Sequence, residues 1–218
     1  MTLIEIIKKC ERYTSSTDYR YKKCGNCIVI LKPLPDTITN EERLHKSYDN
    51  RYRIPINDKY AQYRGNKFYV EKIIDIDTLE DVSQVVNSCY SKKIKYVVNQ
   101  IVETIFDEEK HKVLGGGIHY FKNIIPAYYW QNDVKNGKYL SWNEDGGLIK
   151  KCVYKNGKLD GKYMEFYNDG RAKKICNYKN GVFDGKYIAY NEHGGVMMKC
   201  EYVNGQCIVD KSVMEKKN

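Results

Sequence analysis

Residues 1–129 predict an α+β domain and residues 130–208 an all-β array of hairpin repeats, with 209–218 as a C-terminal tail or cap. Three observations carry this division. The C-terminal third aligns with itself at an offset of 24 residues. Each copy alternates with period two between glycine- and asparagine-rich turn signals. Ahead of it lie one helical pattern and several separated apolar runs, without a repeat. A chain of 218 residues fits one medium domain or two small ones, and it can bury a core without disulfides.

Thr2 and Glu5 have the spacing of a capping box, and Leu3, Ile6, Ile7, Cys10 and Tyr13 then recur at helical intervals. Residues 3–13 are therefore expected to form a short amphipathic helix. Cys27 to Leu34 reads as a strand stopped by Pro33 and Pro35. Residues 36–65 are polar and tyrosine-rich and predict a long excursion with little regular structure. Lys67 to Ile76 predicts a second strand, whereas Lys93 to Ile105 fits strand or helix. Gly115-Gly116-Gly117 followed by Ile118, His119, Tyr120 and Phe121 predicts a glycine turn entering a strand.

The three copies share Gly137/161/185, Lys138/162/186, Tyr139/163/187, Gly146/170/194, Cys152/176/200, Tyr154/178/202, Asn156/180/204 and Gly157/181/205. Trp130 and Asn132 sit where a further tyrosine and asparagine would fall, which starts the array near residue 130. Gly146-Gly147, Asp169-Gly170 and Gly194-Gly195 mark the turn within each hairpin. Asn156-Gly157, Asn180-Gly181 and Asn204-Gly205 mark the turn into the next copy, because these residues tolerate positive φ. Alternation assigns Leu140, Trp142, Leu148, Cys152 and Tyr154, with their counterparts, to an apolar face. Ser141, Lys151, Glu165, Lys173, Lys199 and Glu201 fall on a polar one. The repeat cysteines are expected to pack as small buried hydrophobes. Tyr139, Tyr163 and Tyr187 share parity with the polar face. With Lys151, Lys173 and Lys199 they make an aromatic and basic stripe suited to holding a partner.

Hydrophobic residues at 42% and charged residues at 30% exclude a disordered chain, and only 4 prolines exclude a proline-rich linker. No stretch of ~18 apolar residues predicts a spanning helix. Met1 to Cys10 is too short and too charged for a signal peptide, so secretion is not expected, and eight cysteines then point to a reducing compartment. The net charge of +9 favours acidic partners. It is spread evenly, with 21 basic against 17 acidic groups in residues 1–129 and 16 against 11 beyond, so specific nucleic-acid binding is not expected.

Catalytic and cofactor patterns are missing. The glycine cluster lacks the Gly-Lys-Ser/Thr of a phosphate loop and the third glycine of a dinucleotide fingerprint. His45, His111, His119 and His193 form no ligand spacing, and no Gly-x-Ser-x-Gly occurs. Asp107, Glu108 and Glu109 read as a solvated turn. Cys24-Gly25-Asn26-Cys27 has no second pair to complete a zinc site, since Cys10 and Cys89 stand singly. No metal, no cofactor and no enzyme activity are expected.

The copies resemble MORN repeats, in the longer variant with Gly-Lys-Tyr, a central aromatic, an Asx-Gly-type turn and a closing Tyr-x-Asn-Gly. That resemblance covers about residues 130–208 and implies a β-hairpin solenoid serving scaffolding, protein–protein contacts and, in some members, association with membrane phospholipid. Tyr19 to Tyr129 is similar to a domain of giant DNA viruses of amoebae. The resemblance rests on the strand Cys27 to Leu34, on Tyr63, Arg64 and Lys67, and on the ending Gly117-Ile118-His119-Tyr120-Phe121 with Ala127 and Tyr128. Lysine at 30 against arginine at 7 indicates an AT-rich source, which agrees. This resemblance implies a viral or host protein as partner, and a place in the host cytoplasm, the viral factory or the virion. Self-association is a further expectation for a short array with an open end. Finally, Gly115, Gly117, Ile118, Tyr120, Phe121 and Ala127 are similar to the glycine–aromatic strand of ADP-ribosyltransferases, although the upstream His-Gly or Tyr-Gly strand and the glutamate are absent. The expected function is a non-catalytic interaction or scaffold module. The alternatives are a peripheral module on anionic membranes and a nucleotide-binding or ADP-ribosyltransferase-like enzyme using Gly115 to Phe121.

Overall fold

The computed structural model describes residues 2–43, 55–89, 92–131 and 133–208. His45, Asn132 and the tail 209–218 lie outside them. Strands take 49% of the described residues and helices 9%, so the fold is mostly β, built from antiparallel hairpins. The chain divides into two compact units: Met1–Gln131 with Glu144–Gly146, and Asn132–Asn143 with Gly147–Asn218.

The first unit opens with α1 (Leu3–Lys9) and α2 (Glu11–Thr14). The capping box forms as its spacing predicts: Thr2 N–H donates to Glu5 at 2.7 Å, and Glu5 N–H donates back to the Thr2 hydroxyl at 3.4 Å. The single expected helix is broken at Cys10, which leaves the helical region at φ −101°, ψ 11°. Ile6, Cys10 and Tyr13 are buried nonetheless, so the apolar spacing survives the break.

A six-stranded antiparallel sheet follows, from β1 (Arg20–Cys24), β2 (Cys27–Pro33), β3 (Gln62–Gly65), β4 (Lys67–Asp75), β7 (Ile101–Glu103) and β8 (Ile118–Phe121), in the order β3-β8-β1-β2-β4-β7. Between β4 and β7 the hairpin of β5 (Gln84–Cys89) and β6 (Lys92–Val97) stands as a separate pair. The span that fitted strand or helix is thus β6 and β7. Within the expected polar excursion, Gln62–Gly65 is a strand, paired in register Tyr63↔Tyr120 and Arg64↔His119. α3 (Ile124–Tyr129) packs against β1 and β8.

The run Ile28-Val29-Ile30-Leu31 is wholly buried, as a central strand covered on both faces requires. Val29 and Leu31 join Tyr63, Phe68, Val70, Tyr96 and Tyr120 in one core, with Val85 and Ile94 of the β5–β6 hairpin packed against it. Cys24 and Cys27 face each other across the β1–β2 hairpin inside this core.

The second unit is one eight-stranded antiparallel sheet. Its strands are β9 (Gly137–Trp142), β10 (Leu148–Lys155), β11 (Lys158–Leu159), β12 (Gly161–Phe166), β13 (Ala172–Lys179), β14 (Val182–Tyr190), β15 (Val196–Val203) and β16 (Gln206–Ile208). Registers repeat with the sequence period: Tyr139↔Cys152, Tyr163↔Cys176 and Tyr187↔Cys200. Four of the shared positions are explained by backbone conformation. Asn156, Asn180 and Asn204 have φ of 52°, 51° and 50°, and the three glycines after them, with those at 137/161/185 and 146/170/194, are also at positive φ. Each turn is closed the same way: Gly157, Gly181 and Gly205 donate to the carbonyls of Lys135, Leu159 and Phe183, each at 2.8 Å. Trp130 is the C-cap of α3 and packs on Phe121, with ring centroids 5.5 Å apart.

Candidate functional site

The tyrosines of the expected stripe lie on the face opposite to the one alternation assigned. Directly opposed residues of an antiparallel pair share a face. Tyr139, Tyr163 and Tyr187 oppose the repeat cysteines, so they lie beside Cys152, Cys176 and Cys200 and beside Tyr154, Tyr178 and Tyr202. Leu140 opposes Lys151, and Ile188 opposes Lys199, so those lysines occupy the other face with part of the expected apolar set. Lys173 is an extra residue of β13, because the ladder passes from Glu165↔Lys174 to Phe166↔Ala172. Ile149 and Met197 are the same extra residue in the neighbouring copies. A bulge inverts the parity of everything beyond it. That single residue per copy explains the whole misassignment.

The lysines that meet the tyrosines are one position removed from those expected. Lys150 Nζ stands 4.9 Å above the Tyr139 ring, and Lys174 Nζ 4.9 Å above that of Tyr163. Met198 holds the equivalent place opposite Ala189. The identical residue type at 150 and 174 was the available signal, and only the register reveals its use. Neighbouring rings form a file: Tyr163–Tyr178 at 5.5 Å, Tyr178–Phe183 at 4.6 Å, Phe183–Tyr187 at 5.3 Å and Phe183–Tyr202 at 5.0 Å. Tyr139 and Tyr154 make the corresponding pair in the first copy, at 6.0 Å.

Glu165 lies within this file, taking ion pairs from Lys173 at 3.0 Å and Lys174 at 3.1 Å. Burial pushes its carboxyl up, but hydrogen bonds from those two lysines outweigh it and hold it below the ordinary value. Burial pushes the Tyr178 phenol up to about 12 and the Cys176 thiol up to about 11. These groups stay neutral at pH 7, and Cys152 and Cys176 are enclosed packing groups rather than exposed nucleophiles. The rings themselves are half-buried. Lysines poised over half-buried rings offer a stack of aromatic surface with cationic heads, which suits an extended acidic chain or an anionic headgroup.

In the first unit, the segment Gly117 to Phe121 is absorbed into packing. Ile118 and Tyr120 enter the core, and the Tyr120 hydroxyl donates to Glu41 at 2.7 Å. Arg20 at 2.7 Å and Lys122 at 3.1 Å complete the ion pairs of Glu41. His119 Nε2 donates to the Val113 carbonyl at 2.8 Å. Burial and the neighbouring Lys22 lower its imidazole below the ordinary value, so it stays neutral. Arg64, opposite His119 in β3, is wholly buried. Its guanidinium donates to the carbonyls of Lys112 (2.7 Å), Asp107 (2.6 Å), Gly116 (2.8 Å) and Glu109 (2.5 Å), and lies 4.5 Å from the Phe106 ring. The acidic run 107–109 is therefore more than a solvated turn: its carbonyls, with those of 112 and 116, wrap a buried cation. The Tyr-Arg-x-x-Lys segment and the Gly-Ile-His-Tyr-Phe segment, distant in sequence, are adjacent strands.

Among the described residues, no group of three or more histidine, cysteine or acidic side chains is placed to hold a metal ion. Likewise, no described helix is long and apolar enough to cross a membrane. No protein-family model and no curated protein matches the chain.

Proposed function

We propose that the protein is a non-catalytic interaction module whose working surface is the tyrosine–lysine face of its hairpin array. One observation carries this reading: Tyr139 under Lys150 and Tyr163 under Lys174, at the same spacing in successive copies, each ring paired with the closing tyrosine of its copy. The same contact in successive copies suits an extended partner, since the first two copies present it with the same chemistry. The partner is an acidic protein segment bearing apolar or aromatic groups. The reading takes the array as MORN-type and the first unit, with its short helices beside a sheet, as the α+β domain of the viral resemblance.

Peptide selection from a random display library against the full chain tests it. Enriched peptides are expected to be acidic, and to bind at least about tenfold more weakly after Lys150→Ser with Lys174→Ser, or after Tyr139→Ser with Tyr163→Ser. Unchanged peptide affinity in both variants overturns this face as the surface. Salt-sensitive sedimentation with vesicles of anionic phospholipid, with no peptide enriched, replaces the protein partner by a membrane.

A further inference from the structure

At its last hairpin the array departs from its own repeat in a way that changes the chemistry. The residue opposite the closing tyrosine is Leu159 in the first copy and Phe183 in the second, but Cys207 in the third: the registers are Tyr154↔Leu159, Tyr178↔Phe183 and Tyr202↔Cys207. Residues two apart on a strand share a face, so this place lies diagonally beside the repeat cysteine of the same copy. Where an apolar side chain flanks Cys152 and Cys176, a second thiol flanks Cys200, on the tyrosine face.

Exposure sets this pair apart from the other described thiols. Cys152 and Cys176 are each 1% exposed, whereas Cys200 is half-buried and Cys207 is exposed. Cys24 and Cys27 also oppose one another, but both are enclosed in the core of the first unit, away from solutes. Burial and the neighbouring Cys207 thiol push the Cys200 thiol above the ordinary value, which leaves the first attack on a solute to Cys207. Diagonal neighbours in a flat ladder have Cα atoms about 7–8 Å apart, and a disulfide spans about 4.4–6.8 Å. A shift of about 1 Å closes that gap. β16 is the element able to make it: it has three residues, and among the described strands it pairs with β15 alone.

We propose that Cys200 and Cys207 form a reversible disulfide that pins β16 to β15, made by exchange with a low-molecular-weight disulfide such as glutathione disulfide. Cys207 gives up its proton to solvent, and its thiolate attacks one glutathione sulfur. The glutathione S–S bond breaks, a mixed disulfide forms on Cys207, and one glutathione thiolate leaves. Cys200, deprotonated in turn, attacks the Cys207 sulfur; the protein S–S bond forms and the second glutathione thiolate leaves. Two protein thiols are oxidised, one glutathione disulfide is reduced to two thiols, and these take up the two protons. Exposed or strained disulfides are the readily reduced ones, so excess reduced glutathione reverses the exchange. The pair acts independently of what the tyrosine–lysine face binds.

The test is to equilibrate the full chain with glutathione disulfide, block the remaining thiols with iodoacetamide, and weigh the tryptic peptides. Cleavage after Lys199 and Lys211 leaves both cysteines in one peptide. That peptide is expected to be lighter by two hydrogens, to carry no alkyl group, and to regain two alkylable thiols in excess reduced glutathione. Half-oxidation is expected at a glutathione disulfide concentration at least about tenfold below that needed for any other cysteine pair. Cys200→Ser is expected to stop at the mixed disulfide on Cys207, and Cys207→Ser to abolish the reaction at Cys200. Hydrogen exchange at residues 206–208 is expected to slow about tenfold in the oxidised chain. Two alkyl groups on the peptide after oxidation, a covalent dimer through Cys207, or oxidation seen only in urea would each overturn the pair. Unchanged exchange in the oxidised chain would overturn the pinning of β16.

Discussion

In β2, Ile28, Val29, Ile30 and Leu31 are wholly buried, whereas β13 of the array fully buries only Cys176 and leaves Ile175 and Tyr178 half-covered. The first strand runs through a packed core; the second belongs to a single sheet. Apolar burial on both faces orders the first unit. The array depends instead on cross-strand pairs and on turns that residues other than glycine and asparagine enter only with strain. The contrast explains why the first unit shows no internal repeat while the array repeats glycine, asparagine, tyrosine and cysteine at fixed places.

The sharpest break of this contrast is Arg64, a buried cation within the apolar unit. Arg64→Ala would strand four carbonyls at once and is expected to cost about 3–5 kcal/mol, read by urea denaturation. A cost under about 1 kcal/mol would show that the segment 105–117 can hold itself without the guanidinium.

Ile30→Ala against Ile188→Ala compares the two kinds of sheet directly. The core variant is expected to lose about 2–5 kcal/mol. The array variant, half-covered at the start, is expected to lose about 1 kcal/mol. Equal losses would mean that the array face is as enclosed as the core.

The glycines at 146 and 170 separate conformation from packing. Both have positive φ, 81° and 84°, so alanine pays the left-handed cost of about 1–2 kcal/mol at either. At Gly146, which clusters with the first unit, a Cβ would fall within 2.4 Å of the Asn57 carbonyl oxygen and 2.6 Å of the Ala61 nitrogen. At Gly170 it meets nothing within 4 Å. Gly146→Ala is expected to lower the thermal midpoint further than Gly170→Ala, and equal shifts would place the whole cost in the backbone.

The smallest effect expected is a change in pH dependence. Burial pushes the Glu41 carboxyl up, but hydrogen bonds from Arg20, Tyr120 and Lys122 prevail and hold it below the ordinary value. A carboxyl lowered by folding contributes stability that is full above its unfolded value of about 4.3 and is lost as pH falls through the folded one. Glu41→Gln is expected to flatten the stability profile below about pH 4.5. An unchanged acid slope would assign the acid sensitivity to other carboxyls.

Much of the local structure was legible in the residues. The capping box at Thr2 and Glu5, the strands at 27 and 67, and the turns at Asn156, Asn180 and Asn204 all follow from short-range rules. The candidate face was legible only in part. Its tyrosines were visible from the repeat, but their side of the sheet and their lysine partners were not. Alternation keeps its phase only through an uninterrupted ladder, and the extra residues Ile149, Lys173 and Met197 carry no turn signature that would mark them as bulges.

By itself the sequence determined the 24-residue period and the left-handed turn positions, because φ preference belongs to single residues and needs no distant contact. The tertiary structure alone decided that β3 lies beside β8, that Arg64 is wrapped by carbonyls from 107 to 116, and that Lys150 and Lys174 stand over Tyr139 and Tyr163 in place of Lys151 and Lys173. Those outcomes depend on which strands pair and in what register. Pairing is settled by the burial of whole faces, summed over residues far apart in the chain.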